Sequence, residues 1–183
     1  PASSTGFEVG DLILLHQTQR TANVGVWEYA TIAAINGPNS WTLAQPLRYS
    51  YDGTSGRAQA VKVPQYQAVT VQAGGILNAP AWDGTTGGIL VVKVSDSFTV
   101  QAGGVVESNG KGFAGGQPRC VSCYAGIQGE GQTGPGVESL SANGNGGGAG
   151  QSDPSPSGCS GNASGGAGGG HANAGTNGVS DTG

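Results

Sequence analysis

The string VTVQAGGIL at Val69 to Leu77 returns as FTVQAGGVV at Phe98 to Val106, with Thr-Val-Gln-Ala-Gly-Gly identical in both copies. Two short β-branched runs joined at a Gly-Gly corner, written twice in the same order, restrict the chain to architectures that stack like on like. One such unit cannot cover its own apolar face. Stacked in register, the copies place Val71 over Val100 and Ile76 over Val105 in one apolar column that points inward. The glycine pairs 74/75 and 103/104 fall at corners where positive φ is needed. Between the copies, GGILVVKV at Gly87 to Val94 is a continuous apolar run of strand length. Residues 68–116 are therefore predicted to be a β-solenoid stem.

The preceding residues, 1–67, read as short strands. DLILLHQ, VWEYATIAAI and SWTLAQPL are rich in β-branched and aromatic residues and are separated by NGPNS and YDGTSG. Asn36-Gly37-Pro38-Asn39 predicts a hairpin over Trp27 to Leu43. The rhythm is that of a small antiparallel barrel, so the whole chain is expected to be all-β.

From residue 117 the composition changes. Of 37 glycines, 20 lie between Tyr124 and Gly183, where the large apolar residues are Tyr124, Ile127, Val137, Leu140 and Val179 alone. Such a segment buries too little apolar area to offset about 1–2 kcal/mol of backbone entropy per ordered residue. Small residues nevertheless recur at every third position: Ala163, Gly166, Gly169, Ala172, Gly175 and Gly178. That is the period of polyproline II, and glycine at each third position lets such helices pack closely as a polyglycine bundle. The intervening His171, Asn173 and Thr176 then face outward as candidate binding residues. A flexible low-complexity linker is the alternative reading of 117–183.

Charge divides at the same place. Seven Lys and Arg, the last at Arg119, are matched by seven acids, and the net charge of −4 belongs to the glycine-rich part. Nucleic acid is excluded as a partner, because a phosphate-tracking surface needs clustered bases. No apolar run reaches membrane-spanning length. The termini, PASSTG and GVSDTG, read as those of a fragment or processed piece of a longer chain.

Residues with chemical potential are few. Cys120 and Cys123 form CVSC, and Cys159 follows in the coreless region. A structural disulfide from Cys159 to Cys120 or Cys123 is expected, suited to an oxidising compartment. A zinc site completed by His171 is the competing assignment. DGTSG at Asp52 and DGTTG at Asp83 resemble oxygen-rich loops that hold calcium, making these aspartates candidate ligands, although Asp-Gly turns form without any metal. His16 reads as a strand residue. Asp83, Asp96 and Glu107 are the acids a glycosidic mechanism would draw on, and solvent-facing roles fit them better. Trp27, Trp41 and Trp82, with Tyr29, Tyr49, Tyr51 and Tyr66, are of the type that stacks on sugars or packs a sheet. No catalytic set is assigned and no cofactor beyond calcium is implied.

GDLILLHQTQ, EYATIAAINGPNSWTLAQPLRYSY, VKVPQYQAVTV, LNAPAWDGTTGGILVVKV and GKGFAGG, followed by long glycine-rich sequence, resemble large glycine-rich extracellular proteins of bacteria, including myxobacterial proteins labelled adventurous-gliding-type. The likeness runs from about Phe7 to Gly116, and the tail resembles the polyglycine tips of certain phage adhesins. The resemblance implies an extracellular or cell-surface structural or adhesive protein without catalysis. Its partners would be itself, the rest of a longer parent chain, or a cell-surface glycan. A processed chain of a secreted polymer hydrolase and a filament subunit assembling through solenoid or polyglycine faces are the alternatives. For the cysteines, non-reducing peptide mapping should recover Cys159 linked to Cys120 or Cys123 with the other thiol free. Three free thiols would refute the cross-link.

Overall fold

The structure, a computed structural model, describes residues 4–116 and 127–137. The chain divides into two compact units, Pro1–Gly112 and Phe113–Gly183. Every regular element of the described residues is a strand, so the described chain is all-β. No helix among these residues is long and apolar enough to cross a membrane.

In the first unit, β1 (Leu12–Gln19), β2 (Trp27–Gly37), β3 (Ser40–Leu43) and β4 (Arg57–Lys62) form an antiparallel sheet in the order β3-β2-β1-β4. The β2–β3 hairpin turns where the Asn-Gly signal places it, with Gly37 opposite Ser40. Alternation along β1 and β2 sends Ile13 and Ile32 to full burial as the centre of the core. The sheet is open: β3 and β4 are its two edges and do not pair with each other among the described residues. The expected closed barrel is not formed among the described residues; beside β4 lies the loop of residues 80–89, reached by the side chains of Arg57 and Gln59.

Beyond Pro64 the pairing becomes parallel. β5 (Gln65–Val71) pairs with β7 (Lys93–Val100), and β6 (Ile76–Asn78) with β8 (Val105–Glu107). Val71 stands opposite Val100 and Ile76 opposite Val105, the register the duplicated sequence predicts. The bonds recur around the whole repeat: Lys93 N–H to Pro64 O (2.9 Å), Gln101 N–H to Val71 O (2.9 Å), Gly74 N–H to Gly103 O (2.9 Å), Val105 N–H to Gly75 O (3.0 Å) and Trp82 N–H to Lys111 O (2.9 Å).

The two corners are built alike. Gly74 and Gly103 have φ of 78° and 84°, and Gly75 and Gly104 each donate back to the glutamine three residues earlier, at 2.9 and 2.8 Å. The second glycine of the pair does not use positive φ as expected. Gly104 is required for closeness instead, since a Cβ there would lie 2.6 Å from Val71 O.

Two further expectations are corrected. The run Gly87 to Val94 is not one strand: Gly87 and Gly88 take φ of 102° and 73°, Gly88 N–H turns back to Pro80 O, and β7 starts only at Lys93. The apolar column is also not uniformly inward. Val71 is 7% exposed, but Val100, Val105 and Ile76 are 45%, 39% and 61% exposed. Alternation on β6 turns Leu77 rather than Ile76 to the more covered side, and among the described residues β7 and β8 have no strand beyond them.

In the second unit, Gly131 and Gly134 bridge each other, and Glu130 N–H donates to Ala114 O at 2.8 Å. The residues Cys120, Cys123, Cys159, His171, Asn173 and Thr176 lie outside the described residues.

The burial contrast across one ladder pair gives a direct test. Val71→Asp should cost at least about 3 kcal/mol by burying an unpaired charge, and Val100→Asp less than about 1 kcal/mol. Chemical denaturation of both variants reads the difference, and equal losses would mean that the column is closed at both levels.

Candidate functional site

Two loops of nearly the same sequence, Asp52-Gly-Thr-Ser-Gly and Asp83-Gly-Thr-Thr-Gly, are fixed by the same chemistry. Gln17 of β1 is 1% exposed and faces Asp52. Its Nε2 donates to Asp52 O at 3.1 Å and to Gln19 O at 3.3 Å, while Asp52 N–H donates to Gln17 Oε1 at 2.8 Å. Gln59 of β4 repeats the pattern, 4% exposed: Nε2 donates to Thr18 Oγ1 at 2.8 Å and to Gly87 O at 3.3 Å, and Gly87 N–H donates to Oε1 at 2.9 Å. A side-chain amide that donates to and accepts from one residue reproduces a pair of strand bonds, and both of its N–H groups are used. Arg57 Nε adds a bond to Gly84 O at 3.3 Å. Gly87 cannot be replaced, since a Cβ would stand 2.2 Å from Ala81 O, and Gly56 is pressed against both Asp52 O and Gln17 Nε2.

The aspartates of these loops serve their own turns. Asp52 Oδ1 accepts from Thr54 N–H at 2.8 Å and Ser55 N–H at 3.1 Å, and the Ser55 hydroxyl donates to Oδ2. Asp83 Oδ1 accepts from the N–H groups of Thr85 and Thr86, both at 2.8 Å, and from Thr85 Oγ1 at 2.7 Å. Those donors hold the Asp83 carboxyl at about 2, well below its ordinary range, with the Thr86 N–H the largest cause. A calcium ion at either aspartate would have to share oxygens already accepting these bonds. Among the described residues no group of three or more His, Cys, Asp or Glu converges as a metal site.

Between the β4 edge and the loop of residues 80–89 lies a cleft of about 270 Å³, lined among others by Gln59, Val61, Lys62, Pro80, Asp83 and Thr86. Neither charge is at liberty in it. Lys62 pairs with Asp11 at 2.8 Å, and Asp83 is held by its turn. The other acids weighed for catalysis, Asp96 and Glu107, sit on exposed β7 and on β8, where Glu107 accepts from Asn109 Nδ2 at 2.7 Å. His16 is a half-buried strand residue with Nδ1 2.9 Å from Thr18 Oγ1, and burial lowers its pKa.

The aromatic residues separate by role. Trp41 packs on Phe7 at 4.7 Å and donates from Nε1 to Ser4 Oγ. Tyr49 is exposed but anchored through its backbone, since Glu28 accepts from the N–H groups of Arg48 and Tyr49 at 3.0 and 3.1 Å. Burial and the negative charge of Glu28 push the Tyr51 phenol up to about 12. Trp27 and Tyr29 remain outward on one face of β2, 54% and 50% exposed, with rings edge to face at 5.6 Å. Tyr66 on β5 is exposed as well, at 53%, and Trp27 with Tyr29 is the exposed pair whose rings touch. Sequence reasoning missed Gln17 and Gln59. Their signal was a glutamine in the interior of each strand-forming stretch, LILLHQTQ and RAQAVK.

No protein family, no curated protein and no solved structure matches the chain.

The Asp83 turn makes a pH prediction. A carboxyl whose folded pKa is depressed contributes stability above its unfolded value, about 3.9, and loses that contribution as the pH falls through the folded value. The Asp83 carboxyl carbon should titrate by NMR with a midpoint at about 2. A midpoint near the unfolded value would show the turn to be open.

Proposed function

We propose that the chain is a non-catalytic structural and adhesive segment of an extracellular or cell-surface protein. The four-stranded sheet acts as a barrel-type end module, the parallel pairs are the first coils of a β-solenoid stem, and the glycine-rich residues form a polyglycine surface. The observation that carries this reading is the register of the two coils, bonded on every side of the repeat from Pro64/Lys93 to Trp82/Lys111. A stack whose bonds are all backbone to backbone is a spacer by construction: it lengthens by repetition and needs no reactive side chain. Adhesion is assigned to a glycan lying on the outward Trp27–Tyr29 pair, whose aromatic faces suit the apolar face of a sugar ring.

The reading is tested on a glycan array, followed by incubation with the bound polysaccharide. Retention with unchanged polymer length is expected, and Trp27→Ala with Tyr29→Ala should weaken it at least about tenfold, the loss of roughly 1.4 kcal/mol. Shortening of the polymer would overturn the non-catalytic assignment in favour of a hydrolase chain, and retention unaffected by both substitutions would remove the pair from the binding surface.

A further inference from the structure

The first coil binds the second through a short set of backbone groups. Val71 O accepts from Gln101 N–H, Gly75 O accepts from Val105 N–H, and Gly74 N–H donates to Gly103 O. The second coil carries the same groups at the equivalent positions: Val100 O, Gly104 O and Gly103 N–H. Its corner has the same conformation, with Gly103 at φ 84° against 78° for Gly74 and the same bond back to glutamine. Among the described residues none of these three groups has a backbone partner in the ladder, and β7 and β8 pair only with β5 and β6. Val100, Val105 and Val106 stand exposed beside them. The second coil therefore presents outward what the first coil presents to the second. An edge of this kind is a template for another strand.

We infer that the outer edge of β7 and β8 is a docking site for one further coil carrying the repeat's own pattern, a β-branched strand, a Gly-Gly corner and a second short strand, added by β-augmentation. The occupant is fixed by continuity with the ladder beneath it. Its strand continues β5–β7, its corner donates and accepts as Gly103 does, and its second strand continues β6–β8. The corner also sets the specificity. A Cβ at Gly104 would lie 2.6 Å from Val71 O and 2.9 Å from Gln72 O. The corresponding residue of an incoming coil lies over Val100 O and Gln101 O and must likewise be glycine. Steric fit at one atom thus separates a true coil from an arbitrary apolar strand. This deepens the stem reading and rests on it in one respect: the two coils must be formed before a third can add.

The experiment uses the full 183-residue chain and a synthetic peptide with the sequence of residues 94–107, VSDSFTVQAGGVVE. A second peptide has alanine in place of its second corner glycine. Backbone amide exchange is followed by NMR together with the binding isotherm. The expected result is that the first peptide binds and slows exchange at Gly103, while the alanine peptide binds at least tenfold more weakly. Val100→Pro, which removes an edge N–H without touching the bonds to β5, should abolish binding with little change in melting temperature. Equal binding of both peptides would reduce the edge to a nonspecific apolar surface and overturn the inference. So would absence of binding, or a dimer of the chain itself that the peptide fails to displace. The exchange of Gln101 and Val105 in the free chain separates the two levels of failure. Fast exchange there removes the stem itself, whereas slow exchange without peptide binding removes only the third coil.

Discussion

The arrangement of the first unit depends on two buried glutamines. Gln17 and Gln59 each turn a primary amide toward a loop and close two hydrogen bonds with one residue, Asp52 in one case and Gly87 in the other. Removing either side chain would leave a peptide N–H and C=O unpaired in a covered place, at roughly 1–3 kcal/mol for each group. The Gln59 contact has the larger architectural effect. It ties the middle of β4 to the loop that precedes β7. The antiparallel and parallel halves are thereby fastened by a side chain acting as backbone.

Much of this was legible in the sequence and some was not, for reasons that can be named. The hairpin at Asn36-Gly37 and the register of Val71 on Val100 follow from local turn chemistry and from exact repetition. Both are decided by residues close in sequence or identical. The end of the apolar run at Gly87–Val92 was hidden, because what breaks it is a pair of positive-φ glycines held by a glutamine twenty-eight residues away. The facing of Ile76, Val100 and Val105 was misjudged because repetition fixes which residues lie above one another, not how many layers cover them. The Asp-Gly-Thr loops were ambiguous between turn and metal site. The composition is the same for both, and the structure adds the Thr and Ser donors that the aspartates accept.

The corner glycines have two separate tasks. Gly74 and Gly103 supply left-handed backbone, which any isolated turn of this type would ask for. Gly104 has ordinary backbone and is held to hydrogen by the carbonyls of Val71 and Gln72 in the first copy of the repeat. The Gly-Gly pair is thus partly a turn signal and partly a stacking signal. Only the second half of it carries information about the neighbouring copy.

The interior polar contacts are amides, hydroxyls and peptide groups, and the charged pair Lys62–Asp11 sits at the surface. Neutral joints do not weaken as counterions accumulate, because there is no net charge for an ionic atmosphere to screen. The amide joints at Gln17 and Gln59 are therefore insensitive to ionic screening, whereas the surface Lys62–Asp11 pair weakens as salt rises.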